Sequence, residues 1–199
     1  MSKKILVITA SPRGNGNTNT IANCIVDGAE KAGGRVELVD VTDLDCKVIG
    51  CNGCNRCQPD SLSCVVEDDI TDLVADFPKY DAIVFVTPIY FFSFPAQLKV
   101  AIDRMYCLLL HESGQIFSPL KRIQFAVAAS AGGNEENSGI EIIKEQMGYL
   151  EELIECPPTK FLFKGNCQNK DTAAKDTAFL EEATAFGASL VKNKVSEKD

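Results

Sequence analysis

Tryptophan is absent from this 199-residue chain and histidine occurs once, at His111. One imidazole cannot build a multi-histidine metal centre, and no Ser-His-Asp constellation can be assembled around it. Positive charge is scarce as well. Twenty Lys and Arg face 28 Asp and Glu, a formal net charge of -8. An acidic chain without a basic stripe is a poor ligand for nucleic acid or an anionic membrane, because both bind through cationic side chains. Long apolar runs are missing too. The longest, around Ala82 to Phe92, is far short of the roughly 20 residues that span a bilayer. Before Ser11-Pro-Arg the N-terminus offers only Ile5 to Ala10 as an apolar segment, too short for a secretory signal. These absences predict a cytoplasmic protein with neither nucleic-acid nor membrane partners.

What the sequence does have is an ordinary globular composition, 45% hydrophobic and 24% charged, and nine cysteines. Cytoplasmic thiols stay reduced, so a disulfide framework is not expected. Four of the nine fall between positions 51 and 64, which points to metal or redox chemistry.

Hydrophobic periodicity predicts alternating strands and helices. Strands are expected at Lys4–Ala10, Val36–Val41, Ala82–Thr87, Ile123–Ala129 and Lys160–Phe163. Helices are expected at Asn17–Lys31, Asp68–Phe77, Phe94–Leu110, Ser138–Ile154 and Asp171–Lys194, the last with a charged, solvated end. Five β-α units imply a parallel sheet with helices on both faces, since crossover helices cover a buried sheet. The expected fold is α/β and doubly wound, a five-stranded sheet of flavodoxin-like order 2-1-3-4-5, in a single domain over 1–199. One segment breaks the rhythm. Residues 42–67 carry little periodic pattern and are longer than an ordinary connection. This is a cysteine-rich loop inserted after the second strand.

Three loops at the carboxyl edge of such a sheet attract attention. The first, Ser11-Pro-Arg-Gly-Asn-Gly-Asn-Thr18, runs from the first strand into a helix. Small residues let backbone N–H groups converge there, and the helix N-terminus adds positive potential. Ser11 and Thr18 add hydroxyl donors and Arg13 a cation that can neutralise a dianion, so the loop reads as a phosphate cradle. It lacks the Gly-Lys-Ser/Thr of a P-loop and the third glycine of the dinucleotide fingerprint. The second loop, Thr87 to Pro95, carries Tyr90, Phe91, Phe92 and Phe94. That aromatic run would give a planar heterocycle a flat, apolar wall, with backbone amides reading the polar edge of the ring. Some of its aromatics belong to the core or to a subunit contact. The third, Ser130-Ala131-Gly132-Gly133, is small enough to pass close beneath a ring.

The Ser-Pro-Arg-x-x-Gly-Asn-Thr run, Thr-Pro-Ile-Tyr-Phe-Phe-Ser-x-x-x-Gln-Leu-Lys and the following Asp103-Arg104 resemble the NAD(P)H-dependent FMN reductase family of flavodoxin-like proteins. The resemblance covers most of the chain. It implies FMN, with phosphate on Ser11, Arg13, Asn17 and Thr18, the isoalloxazine against Pro88, Ile89, Tyr90 and Phe91, and the third loop at Ser130, Ala131, Gly132 and Gly133. It implies NAD(P)H as co-substrate, with a hydride passed to flavin N5, and a homodimer or homotetramer. No side chain is required as acid or base, so none is assigned as catalytic. An electron carrier without its own substrate, docking on basic partners, is the competing class.

The cysteine loop reads Cys51-x2-Cys54-x2-Cys57, then six residues, then Cys64. A compact run with a further cysteine suits a cubane iron–sulfur cluster, whereas structural zinc more often uses two separated knuckles. A reactive dithiol serving a redox sensor, zinc, or thiols that assemble no cluster remain as alternatives. Cys64 followed shortly by Asp68-Asp69 resembles the iron–sulfur flavoprotein branch of the family. That implies a [4Fe–4S] cluster on Cys51, Cys54, Cys57 and Cys64, facing a neighbouring subunit's flavin and passing electrons to an acceptor the sequence does not name. His111 is expected to end the helix begun at Phe94, where a cation complements the dipole. Cys46 receives no role. Cys24 and Cys107 are expected to be buried packing residues.

Overall fold

The computed structural model describes residues 2–58 and 61–192. Five parallel strands form the sheet: β1 (Lys4–Thr9), β2 (Arg35–Asp40), β3 (Ala82–Pro88), β6 (Gln124–Ser130) and β7 (Lys160–Lys164). Their order is β2-β1-β3-β6-β7. With the two short strands described below set aside, this is the expected 2-1-3-4-5. The register is continuous, Ile5 opposite Val36 on one side and Ala82 on the other.

β1, β3 and β6 are buried along nearly their whole length, so their side chains alternate between two cores. Leu6, Ile8, Ile83, Phe85, Phe125 and Val127 point to one face. There they meet α2 (Asp69–Asp76), α3 (Ala96–Arg104) and α4 (Ile140–Ile154). Ile5, Val7, Val84 and Ala126 point to the other, under α1 (Asn17–Lys31) and α5 (Thr177–Lys192). Those two helices touch backbone to backbone. A Cβ on Gly28 would stand 1.9 Å from the Thr184 carbonyl oxygen, and one on Gly187 would stand 2.1 Å from that of Ile25. This crossing holds α1, and with it the loop at its N-terminus, against the sheet.

The helix expected over Phe94–Leu110 is shorter. It stops at Arg104, tightens into a 3₁₀ turn over Met105–Leu108, and gives way to an antiparallel hairpin, β4 (Leu110–Glu112) with β5 (Gln115–Phe117). Ser113 and Gly114 both sit at positive φ, 51° and 80°, the turn that two-residue hairpins favour. His111 therefore does not cap a helix. It lies on β4 opposite Ile116, with its ring 5.7 Å from that of Tyr106. The last helix starts at Thr177 rather than Asp171, after a 3₁₀ turn at Ala173–Lys175. The expected end at Lys194 and the charged tail beyond lie outside the described residues. No helix among the described residues is long and apolar enough to cross a membrane.

Candidate cofactor site and cysteine cavity

The loops after β1, β3 and β6 converge at the carboxyl edge of the sheet on a cavity of about 340 Å³, within the range usual for small-molecule sites. From the first loop, Ser11, Arg13, Asn17 and Thr18 line it, together with Gly16. Gly16 precedes α1 as its N-cap and offers no side-chain cap, and the first turn holds no acidic residue. Its leading N–H groups are therefore left as donors toward the loop. The buried Thr18 and Ser130 hydroxyls lie 3.2 Å apart, joining the first loop to the third. Ser11 Oγ accepts from the Arg13 N–H at 3.3 Å.

Asn17 is more committed than its sequence position suggests. Its Nδ2 donates to the Asn169 carbonyl at 2.7 Å and its Oδ1 accepts from the Ala173 N–H at 2.8 Å. The amide thus ties the first loop to the segment after β7. That segment was missed in the sequence, yet Cys167, Gln168 and Lys170 line the same cavity. The fifth strand ends at the same carboxyl edge as the others, and this is the clue that was available. The lining holds two cations, Arg13 and Lys170, and no carboxylate, although the chain carries a net charge of -8. Neither cation forms an ion pair among the described residues.

The second loop departs from expectation. Pro88, Ile89 and Tyr90 line the cavity; Phe91 does not. Tyr90 and Ser93 exchange two backbone hydrogen bonds of 3.1 Å, which places Phe91 and Phe92 at the tip of a tight turn. Both have positive φ, 47° and 68°, a conformation costly for bulky residues. The turn is braced from below, where a Cβ on Gly139 would stand 2.5 Å from Phe92 Cα. Phe91 is 95% exposed. Phe94 leaves the loop for the core, edge-on to Phe85 at 6.2 Å. The continuous aromatic wall is thus reduced to Tyr90 beside Pro88 and Ile89. Two backbone N–H groups of this loop are already committed, that of Ile89 to the Ser130 carbonyl and that of Tyr90 to the Ser93 carbonyl. Relief of the strained turn should be measurable. Phe91→Gly is expected to raise the unfolding free energy by about 1 kcal/mol in denaturant titrations. A fall would mean that the ring's contact with Phe92 outweighs the strain.

In the third loop Ser130, Ala131 and Gly132 line the cavity. A Cβ on Gly132 would meet nothing within 4 Å, so empty space lies beside it. Gly133 does not line the cavity. It is packed on Asn137, whose Oδ1 would stand 2.1 Å from a Cβ there, and its carbonyl accepts from the Asn166 N–H. A larger groove, about 750 Å³, runs between Phe117 and Leu153, away from all three loops.

The cysteine loop forms a second, separate cavity of about 30 Å³. Cys51, Cys54, Cys57 and Cys64 all line it, joined by Cys107, Tyr106 and Arg104. Cys57 is buried, Cys64 half-buried, and Cys51 and Cys54 exposed. Among the described residues no three His, Cys, Asp or Glu side chains stand close enough to hold one metal ion. A single zinc, with Zn–S near 2.3 Å, needs its thiolates within about 4 Å of one another. A cubane binds each thiolate to a different iron and accepts a wider spread. Burial pushes the Cys57 thiol up, and the neighbouring Cys64, Cys51 and Cys54 add to this. Burial likewise pushes Cys107 up to about 12.

Two runs noted in the sequence, Asp68-Asp69 and Asp103-Arg104, are joined by a buried ion pair whose cation lines this cavity. Arg104 Nη1 donates to Asp68 Oδ2 at 2.7 Å, with both side chains fully buried. Nη2 donates to Thr71 Oγ1 and, at 3.3 Å, to the Val66 carbonyl. Asp68 also accepts from the Lys47 and Thr71 N–H groups, each at 3.0 Å. Asp69 accepts from Asp45 N–H at 2.8 Å. The two ends of the cysteine segment are thus stapled to the start of α2. Burial opposes the ionisation of both partners. Their mutual hydrogen bond and charge nevertheless hold the Asp68 carboxyl below its ordinary value and Arg104 above its own. Arg104 Nε is buried with no partner. Gln58 anchors the middle of the loop, donating to the Leu109 carbonyl at 2.6 Å and accepting from the His111 N–H.

A family model described as NADPH-dependent FMN reductase matches residues 3–145. The chain belongs to the NADPH-dependent FMN reductase family. An iron–sulfur flavoprotein of Archaeoglobus fulgidus is 33% identical, with 95% of this chain and 94% of that protein covered. An iron–sulfur flavoprotein of Methanocaldococcus jannaschii is 28% identical over 66% of this chain, and the match spans 64% of its length. An NAD(P)H:quinone oxidoreductase from Methanothermobacter marburgensis shares the fold, with a TM-score of 0.74 at 18% identity over 98% of this chain and all of that one. The motifs after β1 and β3 that suggested the FMN reductases both fall inside the matched span.

Proposed function

We propose that this FMN reductase takes a hydride from NAD(P)H and passes the electrons on, through a [4Fe–4S] cluster held by Cys51, Cys54, Cys57 and Cys64, to an acceptor. One observation carries the flavin half of the reading: an acidic chain reserves a cavity with two cations, an uncapped helix N-terminus and no carboxylate, beside an apolar strip. That pairing of anion donors with an apolar surface suits a phosphorylated planar ring. When bound, FMN supplies two-electron acceptance and one-electron release. Arg13 and the leading N–H groups of α1 hold its phosphate, with Ser11, Thr18 and Ser130 hydroxyls beside them. Pro88, Ile89 and Tyr90 exclude water from one side of the ring. Gly132 keeps the space beside the third loop open. No side chain of the lining is needed to move a proton.

Four thiols and an unpartnered buried N–H around one cavity support the cluster half. The two cavities share no lining residue, and Cys51 and Cys54 are exposed. This favours a homodimer or homotetramer in which the cysteine loop of one subunit meets the flavin pocket of another, in a reducing cytoplasm. The visible spectrum of anaerobically purified protein tests the proposal. Two flavin bands with a broad brown shoulder, both bleached by NADH or NADPH, are expected. Flavin bands without the shoulder would remove the cluster. Bleaching only by a reduced protein donor would make the chain a carrier.

A further inference from the structure

We propose that Arg104 is a positioning residue for the cysteine-bound cluster, donating its Nε–H to a cluster sulfur and raising the cluster's reduction potential. The inference rests on the cluster reading above and deepens it. A fully buried guanidinium normally satisfies all of its donors. Here the Nη edge is committed to Asp68, Thr71 and Val66, and Nε alone is left without a partner. Arg104 lines the cavity shared by the four thiols, whereas Asp68, Thr71 and every other carboxylate are absent from that lining. The cation therefore stands between the thiols and its own counter-ion. An unmet buried N–H costs free energy, and sulfur carrying the negative charge of thiolate or sulfide is the anionic acceptor that this lining would provide.

Two consequences follow from the geometry. Hydrogen bonds to sulfur and nearby charge set cluster potentials. Reduction adds one negative charge, so a cation lining the same cavity favours the reduced form. The same guanidinium also bonds the Val66 carbonyl just after Cys64, and through Asp68 reaches the Lys47 N–H ahead of Cys51. It thus couples the placement of the ligands to the charge that tunes them.

The test begins with iron and sulfide content of the anaerobically purified protein, followed by pulsed EPR of the dithionite-reduced protein grown on guanidino-¹⁵N-arginine. A ¹⁵N coupling to the cluster is expected in the wild type and is expected to vanish in Arg104→Lys. A redox titration of the double variant Arg104→Gln/Asp68→Asn, which removes both charges together, should show the reduced fraction falling about tenfold at fixed potential, a shift of about 59 mV for one electron. A full cluster with no ¹⁵N coupling in the wild type would overturn the inference and leave the cluster reading intact. So would a double variant that titrates with the wild type. Wild-type protein without iron would overturn both. The wild-type coupling decides the matter even if the variants do not fold.

Discussion

Asp68→Ala is expected to lower the unfolding free energy by about 3–5 kcal/mol at neutral pH, the usual cost of stripping one partner from a buried ion pair. The pair is fully buried, and the substitution strands Arg104 without its counter-ion. It also removes the side-chain cap of α2 and the acceptor of the Lys47 N–H, so the cysteine segment should loosen with it. Urea unfolding at pH 7 measures the first effect, and proteolysis within residues 45–66 measures the second. The pH dependence has a definite sign. The Asp68 carboxyl lies below its unfolded value of 3.8 in the folded protein. Its contribution is therefore complete above about pH 4 and is lost as pH falls from there through the folded value. The gap between wild type and Asp68→Ala should be constant from pH 8 to 5 and shrink below pH 4. A gap under about 1 kcal/mol at pH 7 would mean that Arg104 finds other compensation.

Arg13→Glu is expected to weaken FMN binding by about a hundredfold or more. Losing a charge-assisted contact to phosphate costs roughly 1.5–3 kcal/mol, each 1.4 kcal/mol is tenfold in affinity, and the new carboxylate repels the dianion. Arg13 is exposed and makes no ion pair among the described residues, so stability should stay within about 0.5 kcal/mol of wild type. Riboflavin, which lacks the phosphate, separates the roles. Its affinity should change by less than threefold, while that of FMN collapses. Equal losses for both would place Arg13 against the ring instead. Lys170, the second cation of the lining, should show a smaller effect of the same sign.

The fold was largely legible because its core obeys simple periodicities. Lys4–Thr9 and Ala82–Pro88 are continuous apolar runs and are buried on both faces. Asn17–Lys31 begins and ends where its pattern and the following glycines place it. Legibility failed at Leu110 to Phe117. An apolar Cys-Leu-Leu-Leu run continued the helical pattern, but three-residue strands are too short to show alternation. Only Ser113-Gly114 marked the turn. It failed again at Phe91, since nothing in an aromatic run announces that two consecutive phenylalanines will take left-handed backbone. That conformation is imposed by the Tyr90–Ser93 pairing and by the close approach of Gly139.

The sequence by itself determined the α/β order, the carboxyl-edge loops and the compact cysteine run, because each is written in local pattern and spacing. Three-dimensional packing alone decided the rest. It turned Asn17 into a tie to the last loop and brought Lys170 to the first. It sent Phe94 inward and Phe91 outward. It also joined Asp68 to Arg104, 36 residues apart, behind the four cysteines. Such pairings depend on which helices lie side by side on the sheet, and no local spacing records a contact between elements so far apart along the chain.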